Sequence, residues 1–254
     1  VHAPPIMDFK RLLNGDKGPN TGSMGCIMDG HLGFLNTDDI RCAESVNESI
    51  IHETADGRYV GFLYGSFMKT AEGDIKVIEF NCRLGDPEGV LLLQSMTPGL
   101  SDVCRMIKSK TLSPEKVSFD SSFKICKYLV PNDYPFVVPE DESYIFIKDI
   151  SMFLVGSLKK QGDYIYKLPG SRAIAMVASS ESEIDDAFVK ISGDVQYRTD
   201  LTERYREKCD KHYRYLDIDS VETALKELKP LIKSTYTQGV FLYSDHNLAF
   251  VNML

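Results

Sequence analysis

The sequence has no paired cysteines, no long apolar run and no excess of basic charge. Six cysteines are scattered along the chain without a Cys-x-x-Cys pair, a spacing that indicates reduced intracellular thiols rather than a disulfide framework or a zinc site. No apolar run approaches membrane-spanning length, and the start shows no signal-peptide pattern. The formal net charge of −8 argues against a general binder of nucleic acid or of anionic membranes. We therefore expect a cytoplasmic protein with neither of these partners.

The bulk composition is that of a globular protein. Hydrophobic residues make up 43% and charged residues 26% of the sequence, which is ordinary for a globular protein. The length of 254 residues allows one large domain or two smaller ones. Residues 1–25 are rich in Pro, Gly, Asn and Asp and predict a long loop. Because the chain starts at Val1 in such a loop, we expect a fragment or a chain that lacks an upstream domain.

The most informative stretch runs from Lys76 to Glu88. In a β-strand, successive side chains point to opposite faces. One face of this strand is then polar and carries Glu79, Asn81 and Arg83. The other face is apolar and carries Ile78, Phe80 and Cys82. The next residues, Leu-Gly-Asp-Pro, predict a turn, because Gly tolerates unusual dihedrals and Pro cannot continue the hydrogen-bond ladder of a sheet.

The polar face of this strand combines metal-binding and anion-binding chemistry. Carboxylate and amide oxygens such as those of Glu79 and Asn81 suit Mg²⁺, which proteins usually hold with one or two groups together with substrate phosphates. A guanidinium such as that of Arg83 binds phosphate or carboxylate through two parallel hydrogen bonds. The pattern alone also fits a solvated polar face with an incidental ion pair, and it does not decide between the two.

Two features within the first 25 residues could bind a ligand. Gly18-Pro-Asn-Thr-Gly-Ser-Met-Gly25 is rich in glycine, so its backbone can approach a ligand closely and offer N–H groups to an anion. Asp8-Phe-Lys-Arg11 places an acid beside two bases. The glycine-rich run is neither a Walker A loop nor a GxGxxG fingerprint. A plain surface loop is the alternative that composition leaves open.

Periodicity predicts helices and a hairpin in the first part of the chain. Helices are expected at 37–55 with Thr37 or Asp38 as N-cap, at 87–96, and after the N-cap Ser101. A strand at 59–69 is expected to pair antiparallel with the strand that starts at Lys76, through a turn at 70–74.

A domain boundary is predicted in the polar segment 109–122, because short strand-like runs replace the helical patterns after it. Short strands are expected after it at 124–130, 144–148, 153–158, 164–168 and 172–178. The remaining expectations are a helix capped by Ser182, a charged segment at 201–214, a helix from Asp219, and strands at 239–243 and 248–251. We therefore divide the chain into residues 1–118, residues 119–214 and an extension of unknown role at 215–254.

Three motifs in this order closely resemble the phosphoribosylamine–glycine ligase family of the ATP-grasp superfamily. They are Gly18-Pro-Asn-Thr-Gly-Ser-Met-Gly25, Gly61-Phe-Leu-Tyr-Gly65 and Val77-Ile-Glu-Phe-Asn-Cys-Arg-Leu-Gly-Asp-Pro-Glu88. Asp8-Phe-Lys-Arg11 matches the family's Asp-His-Lys-Arg, and Leu168-Pro-Gly-Ser-Arg172 stands where the family has a Gly-Gly-Arg turn. The resemblance fades after about residue 214. It implies an α+β fold, with the C-terminal half of an ATP-grasp domain at 1–118 followed by a small, mostly β C-terminal domain.

The resemblance also implies a chemistry, that of an ATP-dependent ligase of purine synthesis that uses Mg²⁺ or Mn²⁺. The carboxylate of glycine attacks the γ-phosphate of ATP, and the amine of 5-phosphoribosylamine then displaces phosphate to give glycinamide ribonucleotide. By position in the motif, Glu79 and Asn81 are the metal ligands and Arg83 stabilises the transferring phosphoryl group. The residues that the resemblance assigns to substrate binding are Lys10, Arg11, Pro19, Asn20, Thr21, Gly22, Asp86 and Arg172.

The departures from the family define the alternatives. The family's N-terminal domain and first ATP-grasp half have no counterpart here, so we expect the isolated chain to be inactive and a further chain or domain to supply them. Ser23 replaces the second glycine of the family's Gly-Gly-Met run, and Gly89-Val90 follows Glu88 where the family has Thr-Gln. The chain could instead be a non-catalytic remnant or binding module of this fold. It could also be an ATP-grasp ligase for a different acid and amine.

Overall fold

The computed structural model describes most of the chain up to residue 180 and one strand near its end. The described residues are 1–13, 17–28, 32–54, 58–130, 134–136, 143–146, 154–162, 165–168, 171–180 and 247–253. Their helices are α1 (Thr37–Glu53), α2 (Glu88–Ser95) and α3 (Leu100–Ser109), with a 3-10 turn at Pro114–Lys116. Their strands are β1 (Ile6–Asp8), β2 (Arg11–Leu13), β3 (Lys17–Asn20), β4 (Gly25–Met28), β5 (Phe62–Lys69), β6 (Ile75–Asn81), β7 (Met96–Thr97), β8 (Ser118–Phe119), β9 (Phe123–Leu129), β10 (Ser143–Phe146), β11 (Leu154–Val155), β12 (Lys159–Lys160), β13 (Ile165–Leu168), β14 (Ile174–Ser180) and β15 (Asn247–Met253).

An eight-stranded antiparallel sheet forms the centre of the described structure. Its strand order is β11-β14-β9-β4-β1-β15-β5-β6. Smaller sheets pair β10 and β12 with β13, β2 with β3, and β7 with β8. The prediction that residues 1–25 are a long loop is wrong, because β1 and β4 are buried strands of the central sheet. Strands of three or four residues between Gly and Pro are too short to show a period of two in the sequence.

The two helices nearest the site lie on opposite faces of this sheet. Tyr64 of β5 packs in one buried cluster with Leu91 and Leu92 of α2. The next residue, Gly65, faces the other way, and a Cβ placed there would lie 2.2 Å from Oδ1 of Asn47 in α1. α2 therefore covers the face that carries Tyr64, and α1 packs closely on the opposite face because Gly65 has no side chain.

The helices predicted from periodicity are confirmed, with corrections to their caps. Asn36 is the N-cap of α1, in place of the predicted Thr37 or Asp38. Its Oδ1 accepts from the amide of Asp39 at 2.9 Å, and Asp39 Oδ2 accepts from the amide of Asn36 at 2.8 Å. This reciprocal capping box makes Asn36 the best of the neighbouring candidates. The N-cap of α3 is Gly99, two residues before the predicted N-cap Ser101.

The predicted hairpin of β5 and β6 is confirmed, but the predicted apolar face of β6 is wrong. Ser66 pairs with Glu79 and Phe67 pairs with Val77, so Ile78 is an extra residue that bulges out of the ladder. Ile78 is 47% exposed because β6 is the edge strand of the sheet. The ring of Phe80 instead packs edge to face on Phe67, with centroids 6.2 Å apart.

The later strands pair across the predicted domain boundary. β9 pairs with both β4 and β14, so strands from either side of residue 118 join one sheet. The domain division stays a prediction. The expected strand at 248–251 is confirmed as β15, which lies between β1 and β5. The predictions for Ser182, for 201–214, for the helix from Asp219 and for 239–243 concern residues that the structure does not describe. In the described part of the chain, no helix is long and apolar enough to cross a membrane.

Candidate functional site

The end of β6 presents two oxygen-bearing side chains next to each other. Asn81 Nδ2 donates to Glu79 Oε1 at 3.1 Å, and the two residues lie opposite Tyr64 and Ser66 of β5. Glu79 is exposed and Asn81 is half-buried, so both are reachable from solvent. The structure thus brings together a carboxylate and an amide oxygen, the donor set that hard divalent cations prefer. Within the described ranges, no cluster of three or more His, Cys, Asp or Glu could hold a metal ion by itself.

Arg83 follows β6 in an exposed bend. Its Nη1 donates to the carbonyl oxygen of Leu84 at 3.0 Å, and its side chain is otherwise open to solvent. The structure therefore leaves guanidinium donors of Arg83 available just after the end of β6. Its role in stabilising a phosphoryl group stays a prediction.

Lys10 connects this exposed pair to a buried acid. Its Nζ lies 2.6 Å from Oδ2 of Asp8, whose side chain is fully buried. Burial opposes the charge of Lys10, but the Asp8 carboxylate, together with Glu88 and Glu79, outweighs it and raises the pKa of Lys10. Lys10 is therefore held as an ammonium ion within the field of Glu79. An ammonium at this position suits a phosphate-binding role.

A second buried acid, Glu88, lies at the start of α2. Burial, followed by the nearby charge of Asp8, raises the pKa of Glu88 to about 7. The hydroxyl of Tyr64 donates to Glu88 Oε1 at 2.9 Å. Sequence reasoning did not assign Glu88, Asp8 or Tyr64 to the site. The position of Glu88 directly after Asp86-Pro87 in the long motif is a signal that could have pointed to it.

The glycine-rich loop folds back onto the Lys10 segment. The amide and the hydroxyl of Thr21 both donate to the carbonyl oxygen of Lys10, at 2.7 and 2.8 Å. Arg11 Nη1 donates to the carbonyl oxygen of Gly18 at 2.9 Å, and Arg11 pairs with Asn20 across the β2–β3 hairpin. The structure thus brings together the predicted substrate-binding residues Lys10, Arg11, Pro19, Asn20, Thr21 and Gly22.

Ser23 has a backbone conformation that favours glycine. Its φ is 122°, and its side chain is fully buried. Ser23 Oγ accepts from the amide of Gly25 and donates to the carbonyl oxygen of Gly25, both at 3.1 Å. These hydrogen bonds offset part of the conformational cost at a position where the resembling family has glycine.

Arg172 reaches the loop from the start of β14. Its Nη1 donates to the carbonyl oxygens of Gly22 and Asp86 at 2.9 and 2.7 Å, and its Nη2 lies 2.8 Å from Asp86 Oδ2. The hydroxyl of Tyr128 donates to Asp86 Oδ1 at 2.5 Å. Two residues predicted to bind substrate, Asp86 and Arg172, are therefore joined to each other and to the glycine-rich loop.

Comparison with known protein families gives a match for the first part of the chain. Residues 1–89 match the family model described as "Phosphoribosylglycinamide synthetase, ATP-grasp (A) domain". This range contains the Lys10 segment, the glycine-rich loop and the strand with Glu79 and Asn81. These parts of the candidate site therefore lie within the segment that is similar to an ATP-grasp domain.

Two curated proteins that this chain is similar to are phosphoribosylamine–glycine ligases. The chain is 36% identical to that of Methanoregula boonei over 213 residues, which cover 79% of this chain and 49% of that protein. It is 36% identical to that of Methanococcus maripaludis strain C5 over 219 residues, covering 79% and 48%. The chain spans about half the length of these curated relatives. The sequence resemblance to phosphoribosylamine–glycine ligase is thus confirmed.

A solved structure supports the fold. The crystal structure of phosphoribosylamine–glycine ligase from Thermotoga maritima has a TM-score of 0.59 and 22% identity, covering 75% of this chain and 48% of that chain. This likeness shows the fold alone. The expected α+β class and its ATP-grasp character are confirmed, whereas the roles of the individual site residues stay predictions.

Replacing Ser23 separates its hydrogen bonds from its backbone conformation. Ser23→Ala loses both hydrogen bonds to Gly25 and keeps the unfavourable φ, so we expect it to lower the free energy of unfolding by about 1–3 kcal/mol. Ser23→Gly loses the same bonds but relieves the backbone, and should be about 1–2 kcal/mol more stable than the alanine variant. Urea denaturation followed by circular dichroism measures both. A glycine variant no more stable than the alanine variant would contradict this account.

Glu88→Gln tests the buried acid through pH. The raised pKa of about 7 means that the stabilising contribution of neutral Glu88 is present below about pH 4.5 and is lost as the pH rises through 7. Glutamine cannot ionise, so the free energy of unfolding of the variant relative to wild type should increase by about 1–3 kcal/mol from pH 5 to pH 8. Glu72→Gln at an exposed turn is the control and should show no such trend. A pH-independent difference for Glu88→Gln would show that Glu88 titrates normally.

Proposed function

We propose that this chain provides the metal-binding and substrate-binding half of a phosphoribosylamine–glycine ligase. The enzyme would join glycine to 5-phosphoribosylamine through glycyl phosphate, with ATP as the phosphoryl donor, and release glycinamide ribonucleotide for purine synthesis. The observation that carries the proposal is the family match over residues 1–89, because that range contains both the Glu79–Asn81 pair and the loop anchored on Lys10. A cytoplasmic location goes with this proposal and stays a prediction.

The divalent cation would be held by Glu79 and Asn81. Their side chains are hydrogen-bonded to each other at an accessible strand end, and each carries an oxygen of the kind that Mg²⁺ or Mn²⁺ binds together with nucleotide phosphates. The bound cation would neutralise the charge of the phosphate oxygens during transfer. With two protein ligands, most of the coordination sphere would be left to ATP and water.

The remaining side chains would neutralise and position the substrates. The ammonium of Lys10 and the guanidinium of Arg83 would supply positive charge near Glu79 and Asn81 to the γ-phosphoryl group as it passes to the carboxylate of glycine. Pro19, Asn20, Thr21 and Gly22, next to Arg11, would hold glycine and phosphoribosylamine, with Asp86 and Arg172 contributing from the other side of the loop. Such catalysis depends on positioning rather than on a protein nucleophile.

The chain is proposed to work only with a further chain or domain. It spans about half the length of its curated relatives, and ATP-grasp enzymes hold the nucleotide between two halves. The remaining half would supply the glycine-rich phosphate loop, the nucleotide-binding lysine and the segment that contacts adenine. A site built from one half should bind ATP weakly.

The direct test is reconstitution. We expect the isolated chain to release no phosphate from ATP with Mg²⁺, glycine and phosphoribosylamine, because the proposal assigns half of the nucleotide site to a further chain or domain. Joined to the N-terminal part of the Methanoregula boonei ligase, the chain should release phosphate only when both substrates are present. Turnover by the isolated chain would contradict the need for a second half. A folded but inactive fusion would contradict the ligase function and favour a binding module, and activity with another acid or amine would favour a different ATP-grasp ligase.

In the active fusion, Glu79→Ala tests the metal assignment. Loss of one ligand oxygen should lower kcat on the order of 100-fold and raise the Mg²⁺ concentration needed for half-maximal rate. Glu72→Ala, in the turn that precedes β6, is the matched control and should change neither value. An unchanged Mg²⁺ dependence in the Glu79→Ala variant would refute the ligand assignment.

A further inference from the structure

Arg172 joins two segments that are far apart in the sequence. Both hydrogens of its Nη1 are used, one by the carbonyl oxygen of Gly22 and one by the carbonyl oxygen of Asp86. Its Nη2 forms an ion pair with the carboxylate of Asp86 at 2.8 Å, and the Arg172 side chain is only 17% exposed. The guanidinium is therefore committed largely to contacts within the protein.

Tyr128 of β9 contacts both members of the Arg172–Asp86 ion pair. Its ring lies under the guanidinium of Arg172, with the central carbon 4.8 Å from the ring centroid. Its hydroxyl donates to Asp86 Oδ1, so one oxygen of Asp86 binds Tyr128 and the other binds Arg172. Tyr128 is buried, with 5% of its surface exposed, and cannot reach a substrate in the open site.

Gly22 is tied through both of its backbone groups. Its amide donates to the hydroxyl of Tyr134 at 3.0 Å, and its carbonyl oxygen accepts from Arg172 at 2.9 Å. A Cβ placed on Gly22 would lie 3.3 Å from the guanidinium carbon of Arg172. The loop and the guanidinium therefore fit together with no room for a side chain between them.

We propose that Tyr128 and Arg172 are positioning residues that clamp the glycine-rich loop to the Asp86 turn. The clamp sets where the backbone of the loop stands relative to the strand that carries Glu79 and Asn81. Arg172 then contributes to substrate binding through the loop, whereas a direct contact with substrate is the alternative. The catalytic part of this proposal rests on the proposed ligase function, but the clamp itself does not.

Hydrogen exchange on the chain as it exists tests the clamp without requiring activity. The amides of residues 21–24 donate to fixed partners, which include Lys10, Thr21, Phe9 and the hydroxyl of Tyr134. Tyr128→Phe keeps the ring under Arg172 and removes only the bond to Asp86. We expect these amides to exchange about 10-fold faster in Tyr128→Phe, and faster still in Arg172→Lys, which keeps the charge but loses the two-pronged geometry.

The controls separate the clamp from general destabilisation. Tyr59→Phe removes a hydroxyl that donates to the carbonyl oxygen of Phe62 and should leave exchange at residues 21–24 unchanged. Exchange in α3 serves as an internal reference for global opening in every variant. Unchanged exchange of the loop in both Tyr128→Phe and Arg172→Lys, with a folded protein, would overturn the proposal.

Kinetics in the active fusion provide the second readout. Loosening the loop through Tyr128→Phe should raise the KM values for glycine and phosphoribosylamine about 10-fold and leave the KM for ATP nearly unchanged. Loop exchange that responds while these KM values do not would overturn the catalytic role of the clamp. An inactive parent fusion would contradict the proposed function alone, because the exchange experiment would still decide whether the clamp exists.

Discussion

The ion pair between Lys10 and the buried Asp8 is the interaction on which the candidate site depends. It anchors a charged side chain to β1, at the centre of the sheet, while the carbonyl oxygen of the same lysine receives two hydrogen bonds from Thr21. Removing one partner of such a buried pair typically costs about 3–5 kcal/mol, because the other charge is left unpaired. Lys10 therefore contacts the buried core through Asp8 and the glycine-rich loop through Thr21, and its positive charge interacts with the negative charge of Glu79.

The rest of the site is arranged around this pair by the sheet and by α2. The hairpin of β5 and β6 places Glu79 and Asn81 at a sheet edge, where Glu79 is exposed and Asn81 is half-buried. The turn after β6 then places Asp86 against Arg172 and Glu88 in the interior beside Tyr64. Exposed oxygens for metal, a held ammonium and a clamped glycine-rich backbone are what a phosphoryl-transfer site needs from one of its halves.

The sequence predicted the parts of this arrangement that depend on local pattern. Glu79 and Asn81 were placed on one face correctly because the bulge at Ile78 precedes them and leaves their alternation intact. The shared apolar face of Ile78, Phe80 and Cys82 was predicted wrongly, because a bulge and an edge position are decided by pairing partners. The burial of Glu88 was not predicted either, because it also depends on contacts between distant parts of the chain. Its burial beside Asp8 arises from contact between residues 80 positions apart.

The central claim is that Glu79 and Asn81 hold the catalytic cation in one half of a two-part nucleotide site. The most direct measurement is a crystal structure of the chain joined to the N-terminal part of a relative, grown with Mn²⁺ and a non-hydrolysable ATP analogue. Anomalous scattering from Mn²⁺ would locate the ion independently of the refinement. The account predicts an ion about 2.0–2.3 Å from an oxygen of each residue and bridged to the nucleotide phosphates. An ion bound elsewhere, with both side chains free of it, would contradict the account.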